Sequence, residues 1–310
     1  MTTPKLRVLA EFIQHPEGPD LLPDGRVVFV ETWTGLVKAL DPASRRVDVI
    51  ARTGGGPNAC CVDADGDVLV TQNGGRWHLW TAEDPVPAGI QRVRLDGRVE
   101  SVTSAIAGIA CVAPNDLCFG ADGRLYFTDP GAWFPPETRG RQQSHVFALD
   151  STGAGEVIAE LGDVYPNGIA ASRDGVVWAE SHTRLIKMWS GGSQVRTLAE
   201  LPEGHVPDGL KFDYEGKLWI TTVEAGVMDV LDLATGSITE LACPYMPLNC
   251  VFVPGGVLVT DGGLFDPLAD IVPRHGRLVM LETAIEGQPL FRGRVNNARD
   301  AEVPDSRGYW

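Results

Sequence analysis

Six positions in this chain carry an oxygen-bearing side chain inside a short recurring motif. The copies read Pro16-Glu17-Gly18-Pro19, Gly56-Pro57-Asn58, Pro114-Asn115-Asp116, Pro166-Asn167-Gly168, Pro207-Asp208-Gly209 and Leu248-Asn249-Cys250. Carboxylates and amides are hard oxygen donors, and a mixed Glu, Asp and Asn set suits Ca²⁺, Mg²⁺ or Mn²⁺ better than a soft metal. A proline followed by Asn-Gly or Asp-Gly is also an ordinary turn. Turn formation does not account for Asn115 and Asn249, which keep the amide although Asp116 and Cys250 follow them instead of glycine. The histidines at 15, 78, 145, 182, 205 and 275 form no H-x-H or H-E-x-x-H pattern, which leaves a histidine-based zinc centre without support in the sequence. Cys60, Cys61, Cys111, Cys118, Cys243 and Cys250 show no C-x-x-C spacing and read as small buried hydrophobes in a reducing compartment.

The spacing of the motifs dictates what must position them. Between residues 17, 58, 115, 167, 208 and 249 the gaps are 41, 57, 52, 41 and 41 residues. A period of roughly 40–50 residues built from short strands indicates a propeller or a solenoid. After each motif comes a turn, Pro23-Asp24-Gly25, Asp65-Gly66, Asp122-Gly123, Asp174-Gly175, Glu215-Gly216 or Gly255-Gly256, of the kind that supplies positive φ to a tight hairpin. A β-branched or aromatic run follows each time: 27–31, 68–71, 125–128, 176–179, 218–222 and 257–260. Each unit thus opens strand, turn, strand, with residues left for two more strands, which is a propeller blade. The expected fold is all-β, a six-bladed β-propeller forming one domain over residues 1–310, with the six oxygen-bearing side chains meeting near the central axis around a divalent metal. Leu6–Ile13 alternates as a strand and is placed to complete the last blade. The tail from about residue 294 is polar and is expected to be disordered or to pack on a neighbouring subunit.

Composition sets further bounds. A hydrophobic share of 44% suffices for cores between blades, and no Ser/Gly-rich linker divides the 310 residues. With 26 basic and 41 acidic residues the net charge is −15, which argues against a nucleic-acid partner. No apolar run approaches the length of a membrane span and no signal segment is evident, so a cytoplasmic protein is expected.

The segments Pro16-Glu17-Gly18-Pro19, Pro114-Asn115-Asp116-Leu117, Tyr165-Pro166-Asn167-Gly168-Ile169-Ala170 and Pro207-Asp208-Gly209-Leu210 resemble the SMP-30/gluconolactonase/LRE family, from about residue 10 to 285. The resemblance implies a six-bladed propeller with one divalent cation, Ca²⁺ before Mn²⁺, Mg²⁺ or Zn²⁺, at its centre. It implies Glu17, Asn167 and Asp208 as core metal ligands. Asn115 is implied as a further amide that binds the metal directly or through water, or holds substrate. Asn58 and Asn249 have no firm match and are candidates to line the channel and orient water or substrate, against plain turn or strand roles. The implied activity is a lactonase on a small cyclic ester, with the metal as Lewis acid and Asp208 as general base; direct attack by the Asp208 carboxylate is the variant. Phosphotriester hydrolysis on the same centre, a non-catalytic metal-stabilised binding propeller and, more weakly, a metal-free synthase are the alternatives.

The two long gaps mark insertions in the second and third blades. Gly74–Ile90 contains Arg76, Trp77, His78, Leu79 and Trp80, and Gly131–Gln143 contains Trp133, Phe134, Pro135 and Pro136. As rim loops they would favour a bulky, apolar lactone, with Trp133 as a substrate contact; alternatively the tryptophans fill grooves between blades. The run Trp178–Arg184 also resembles a family segment, with His182 a candidate to point into the site and Glu180 and Arg184 expected to pair structurally.

Overall fold

Six four-stranded antiparallel sheets form in the computed structural model, which describes residues 4–77, 80–131, 143–243, 246–263 and 275–297. Blade 1 comprises Pro16–Leu21, Val27–Glu31, Leu36–Leu40 and Val47–Arg52. Blade 2 comprises Pro57–Val62, Val68–Gln72, Gly89–Val93 and Val99–Thr103. Blade 3 is built from Leu117–Phe119, Leu125–Asp129, Ser144–Leu149 and Gly155–Leu161. Blade 4 holds Pro166–Ser172, Gly175–Glu180, Leu185–Trp189 and Val195–Glu200. Blade 5 holds Pro207–Phe212, Leu218–Thr222, Val227–Leu231 and Ile238–Ala242. In blade 6, Pro247–Val253, Gly256–Asp261 and Gly276–Glu282 are completed by the N-terminal strand Lys5–Ile13. Joining the first strand of the chain to the last closes the ring.

The second strand of a blade lies between its neighbours, and Val27–Glu31, Val68–Gln72, Leu125–Asp129, Leu218–Thr222 and Gly256–Asp261 are buried along their whole length. This is why they read as continuous apolar runs, whereas an outer strand such as Val195–Glu200 is largely exposed. The cores sit between blades. Val28, Val30 and Val37 of blade 1 pack on Cys60, Val62 and Val70 of blade 2, and Ala59 and Leu69 pack on Leu117 and Phe127 of blade 3.

The innermost strands touch one another in sequence around the axis, the sixth meeting the first. Because consecutive strands alternate in direction, the six motifs and the loops joining second to third strands share one end, called the mouth here. The first hairpin turns lie at the opposite end, with Gly25, Gly66, Gly123, Gly216 and Gly255 at φ of 80–88°. Blade 2's insertion adds a small hairpin at the mouth, Arg76–Trp77 with Trp80–Thr81, and a second hairpin, Ala105–Ile106 with Ile109–Ala110, accounts for the rest of the longest gap. Most of the blade 3 insertion, Trp133 included, lies outside the described residues.

After the last strand the chain crosses the end opposite the mouth. Asp213 bridges to Gly287, Gln288 Nε2 donates to Ala171 O, the Ala64 amide donates to Gly293 O and Asn296 N donates to Ser151 O. Arg92 donates to Val295 O, while Arg294 pairs with Asp65. Residues 293–297 therefore pack on their own propeller, correcting the expectation of a disordered or intersubunit arm over this stretch; residues 298–310 are outside the described set. Six free cysteines are present, all with burial pushing the thiol above its usual range. No helix among the described residues is long and apolar enough to cross a membrane.

Candidate functional site at the channel mouth

Irregular backbone aims the motif side chains. The register of innermost against second strand breaks between Glu17 and Asp20, Pro57 and Ala59, Pro166 and Ile169, Pro207 and Leu210, and Pro247 and Asn249. Such bulges turn a side chain out of the regular alternation. The glycine after the motif residue makes room for the next blade. A Cβ on Gly168 would lie 2.2 Å from Asp208 O, and one on Gly209 would lie 2.3 Å from the Asn249 side chain. Hydroxyls at the ends of second strands then tie each motif to its neighbour. Thr71 Oγ1 donates to Asn115 O at 2.5 Å, Thr128 Oγ1 to Asn167 O at 2.7 Å and Thr221 Oγ1 to Leu248 O at 2.6 Å. In blade 4, Ser181 Oγ does the same toward Pro207 O at 2.7 Å and accepts from Asn167 Nδ2 at 3.2 Å.

The structure brings Glu17, Asn167 and Asp208 together, each buried. Burial pushes the Glu17 carboxyl well above its ordinary range, and the Asp208 charge adds to the push. Asp208 is raised in the same way by burial and then by Asp116, with the Asn167 amide opposing. With Asn167 Nδ2 engaged by Ser181 and Asp208, the other end of that amide, Oδ1, is buried and accepts no hydrogen bond among the described residues. The Asn115 side chain is also buried and has no hydrogen bond among the described residues, while its carbonyl accepts from Asn58 Nδ2 at 3.3 Å and from Thr71.

Other channel charges are already balanced. Arg292, from the segment crossing the far end, holds Asp20 at 2.5 and 3.0 Å. Asp116 accepts from the amides of Leu117 and Ile169 and from Asn249 Nδ2. Burial disfavours the Lys211 ammonium, yet Asp116, Cys250 and Asp20 raise it overall, so it stays charged near them. Among the described residues no basic side chain forms an ion pair with Glu17 or Asp208. Lys211 lowers Glu17 only as its last cause, and Asp116 adds to the rise of both carboxyls.

The remaining predicted residues fall as follows. Asn249 is 2% exposed; its Nδ2 is held by Asp116 and its Oδ1 accepts from the Cys250 amide at 2.8 Å. His182 is at the mouth end, with Nδ1 3.2 Å from Asp163 Oδ1 and its ring 5.3 Å from that of Tyr165. Arg184 pairs with Glu200 and Glu180 accepts from Thr183, instead of the two pairing with each other, because Glu200 lies across the strand pair from Arg184's neighbour Leu185. At the rim, Trp33 packs with tilted rings between His15 at 4.7 Å and Trp80 at 4.6 Å, joining blade 1 to the blade 2 insertion. Sequence reasoning passed over the positioning hydroxyls and Asp116. Thr71, Thr128 and Thr221 each lie thirteen residues beyond Asn58, Asn115 and Asp208, a signal that alignment of the repeats carries.

A family model described as SMP-30/gluconolactonase/LRE-like region matches residues 15–260. Solved structures share the fold. A gluconolactonase from Xanthomonas campestris has a TM-score of 0.70 at 23% identity, over 92% of this chain and 90% of that one. A calcium-binding protein, regucalcin, from Agrobacterium tumefaciens has a TM-score of 0.72 at 19% identity, over 95% and 97%. A luciferin-regenerating enzyme has a TM-score of 0.73 at 15% identity, over 94% and 100%. No match is found among curated protein sequences.

Proposed function

The chain belongs to the SMP-30/gluconolactonase/LRE-like family, and from that premise we propose that it is a divalent-cation-dependent lactonase. One observation carries the reading. Two buried carboxylates, Glu17 and Asp208, are both pushed up by burial, with Asp208 adding to the rise of Glu17 and Asp116 to that of Asp208. Neither has an ion-pair partner among the described residues, where the Asn167 Oδ1 beside them also accepts nothing. A carboxylate pair and an unengaged amide oxygen on one axis are the donor set of an oxygen-liganded divalent cation, and two negative charges match its charge. Glu17, Asn167 and Asp208 would hold it, with Asn115, the neighbouring motif residue in the ring, as the candidate to add its amide. Calcium suits this set best, in keeping with the calcium-binding relative of the same fold.

When bound, the cation supplies Lewis acidity toward the ester carbonyl and toward charge developing on its oxygen. The chain's own residues do the rest. Asp208, ionised once a cation offsets Glu17 and Asp116, takes a proton from the attacking water as that water's oxygen bonds to the carbonyl carbon. The ring C–O bond breaks, and the same proton returns to the departing alkoxide, giving the hydroxy acid. Ser181 and Thr128 fix the Asn167 side chain and backbone, and Thr71 fixes Asn115. His15, Trp33 and Trp80 offer an aromatic wall at the same end, suited to a ring-bearing small molecule. Asp208→Asn should lower lactone hydrolysis at least about 10³-fold, within the range of a lost general base. Activity near wild type in that variant, measured by proton release, overturns the assignment.

A further inference from the structure

Away from the channel, blade 5 assembles three side chains that no sequence motif links. His205 lies in the segment entering the blade, Asp229 in its third strand and Glu240 in its fourth, where Asp229 and Glu240 are direct cross-strand partners. Two like charges opposed in this way destabilise a strand pair unless a cation lies between them. Asp229 is fully buried, with Oδ2 2.8 Å from His205 Nδ1 and Oδ1 without a hydrogen-bond partner among the described residues. Burial raises its carboxyl and His205 opposes the rise. Glu240 Oε1 stands 4.0 Å from His205 Nε2. The three ligand atoms lie within 4.8 Å of one another, and no other group of three His, Cys, Asp or Glu side chains converges so closely among the described residues.

We propose that His205, Asp229 and Glu240 form a second divalent-cation site, of zinc type. An imidazolium pairing with Asp229 would satisfy one carboxylate oxygen and leave Oδ1 orphaned, whereas a metal ion takes up the free valence. The donor set of one imidazole nitrogen and two carboxylates favours zinc over calcium, which takes oxygen alone. Ligand atoms around tetrahedral zinc lie about 3.4 Å apart, given bond lengths near 2.1 Å. The Glu240 side chain, 59% exposed, can swing to close the remaining gap. It also gives the ion a path from solvent and leaves a fourth position for water.

The test counts metal, so its outcome does not depend on lactonase activity. Chelator-treated full-length protein, saturated with Ca²⁺ to fill the channel, is equilibrated with Zn²⁺, desalted and analysed by emission spectrometry. About one zinc per chain is expected in the wild type and in Asp208→Asn, with zinc lost in His205→Gln. Glu240→Gln, an exposed change outside any core, should weaken zinc at least about tenfold in equilibrium dialysis. A wild type that retains no zinc, a His205→Gln protein that retains as much as the wild type, or zinc lost with Asp208→Asn overturns the proposal.

Discussion

Ser181 should control cation affinity without touching the cation. Its hydroxyl accepts from Asn167 Nδ2 at 3.2 Å and donates to Pro207 O at 2.7 Å, so it locks the amide with Oδ1 free and fixes the strand that carries Asp208. Ser181→Ala removes both bonds at once. Pro207 O then loses a buried donor, which costs about 1–3 kcal/mol of stability. The Asn167 amide keeps only its contact with Asp208, and rotation about its last torsion no longer strands Nδ2. Loss of a group that orients a ligand costs about 10–100-fold in metal affinity, equivalent to about 1.4–2.8 kcal/mol. Titration calorimetry with Ca²⁺ reads the affinity, and urea unfolding with excess chelator reads the stability separately. Ser181→Thr, which keeps the hydroxyl, should recover most of the affinity. A Ser181→Ala protein that folds and binds Ca²⁺ within twofold of wild type would refute the argument that this hydroxyl prepares Asn167.

Two further consequences concern stability. Burial raises Glu17 and Asp208, with nearby carboxylates adding to both, so without a cation the folded state binds more protons than the unfolded chain, and its stability falls as pH climbs from the ordinary carboxylate range through the raised values. A cation reverses the shift, so the difference in melting temperature between Ca²⁺-loaded and chelated protein should widen from about pH 5 to 8; a constant difference, in a chelator whose calcium affinity is corrected for pH, contradicts it. Arg292 holds the buried Asp20 and also donates to Val62 O and Leu21 O. Arg292→Ala leaves that carboxylate with only the Leu21 and Val62 amides and no cation paired to it, and should cost about 3–5 kcal/mol in denaturant unfolding; a loss below about 1 kcal/mol would show that the segment crossing the far end does not brace the channel.

Features repeated six times were legible in the sequence; features made once by long-range contact were not. The second strands could be read because burial on both faces makes them unbroken apolar runs, and the turn glycines because their positive φ excludes most other residues. Leu6–Ile13 could be placed in the last blade because a ring must close, and it pairs with Gly276–Glu282. The segment at 284–297 lacked any periodicity, since its bonds run to single atoms of five blades, such as Ala171 O and Asp20. At the site, the motif residues were visible as a column, but their use of hydrogen bonds was not. Asn249 and Asn167 look alike in sequence, yet one amide is held at both ends by Asp116 and Cys250 while the other keeps a bare Oδ1. Likewise Glu180 and Arg184 are close in sequence but face Thr183 and Glu200, because the turn between strands separates them.

Hydrolysis measured against counted bound ions tests the central claim most directly. Chelated, desalted protein is titrated with Ca²⁺ while proton release from a panel of sugar, aliphatic and aromatic lactones is followed and bound calcium is determined in parallel. With Glu17, Asn167 and Asp208 around a single ion, activity toward at least one lactone should start from nothing and rise in proportion to occupancy up to about one calcium per chain. Full hydrolysis by protein free of bound ions, or no hydrolysis of any lactone once one calcium is bound, would contradict it.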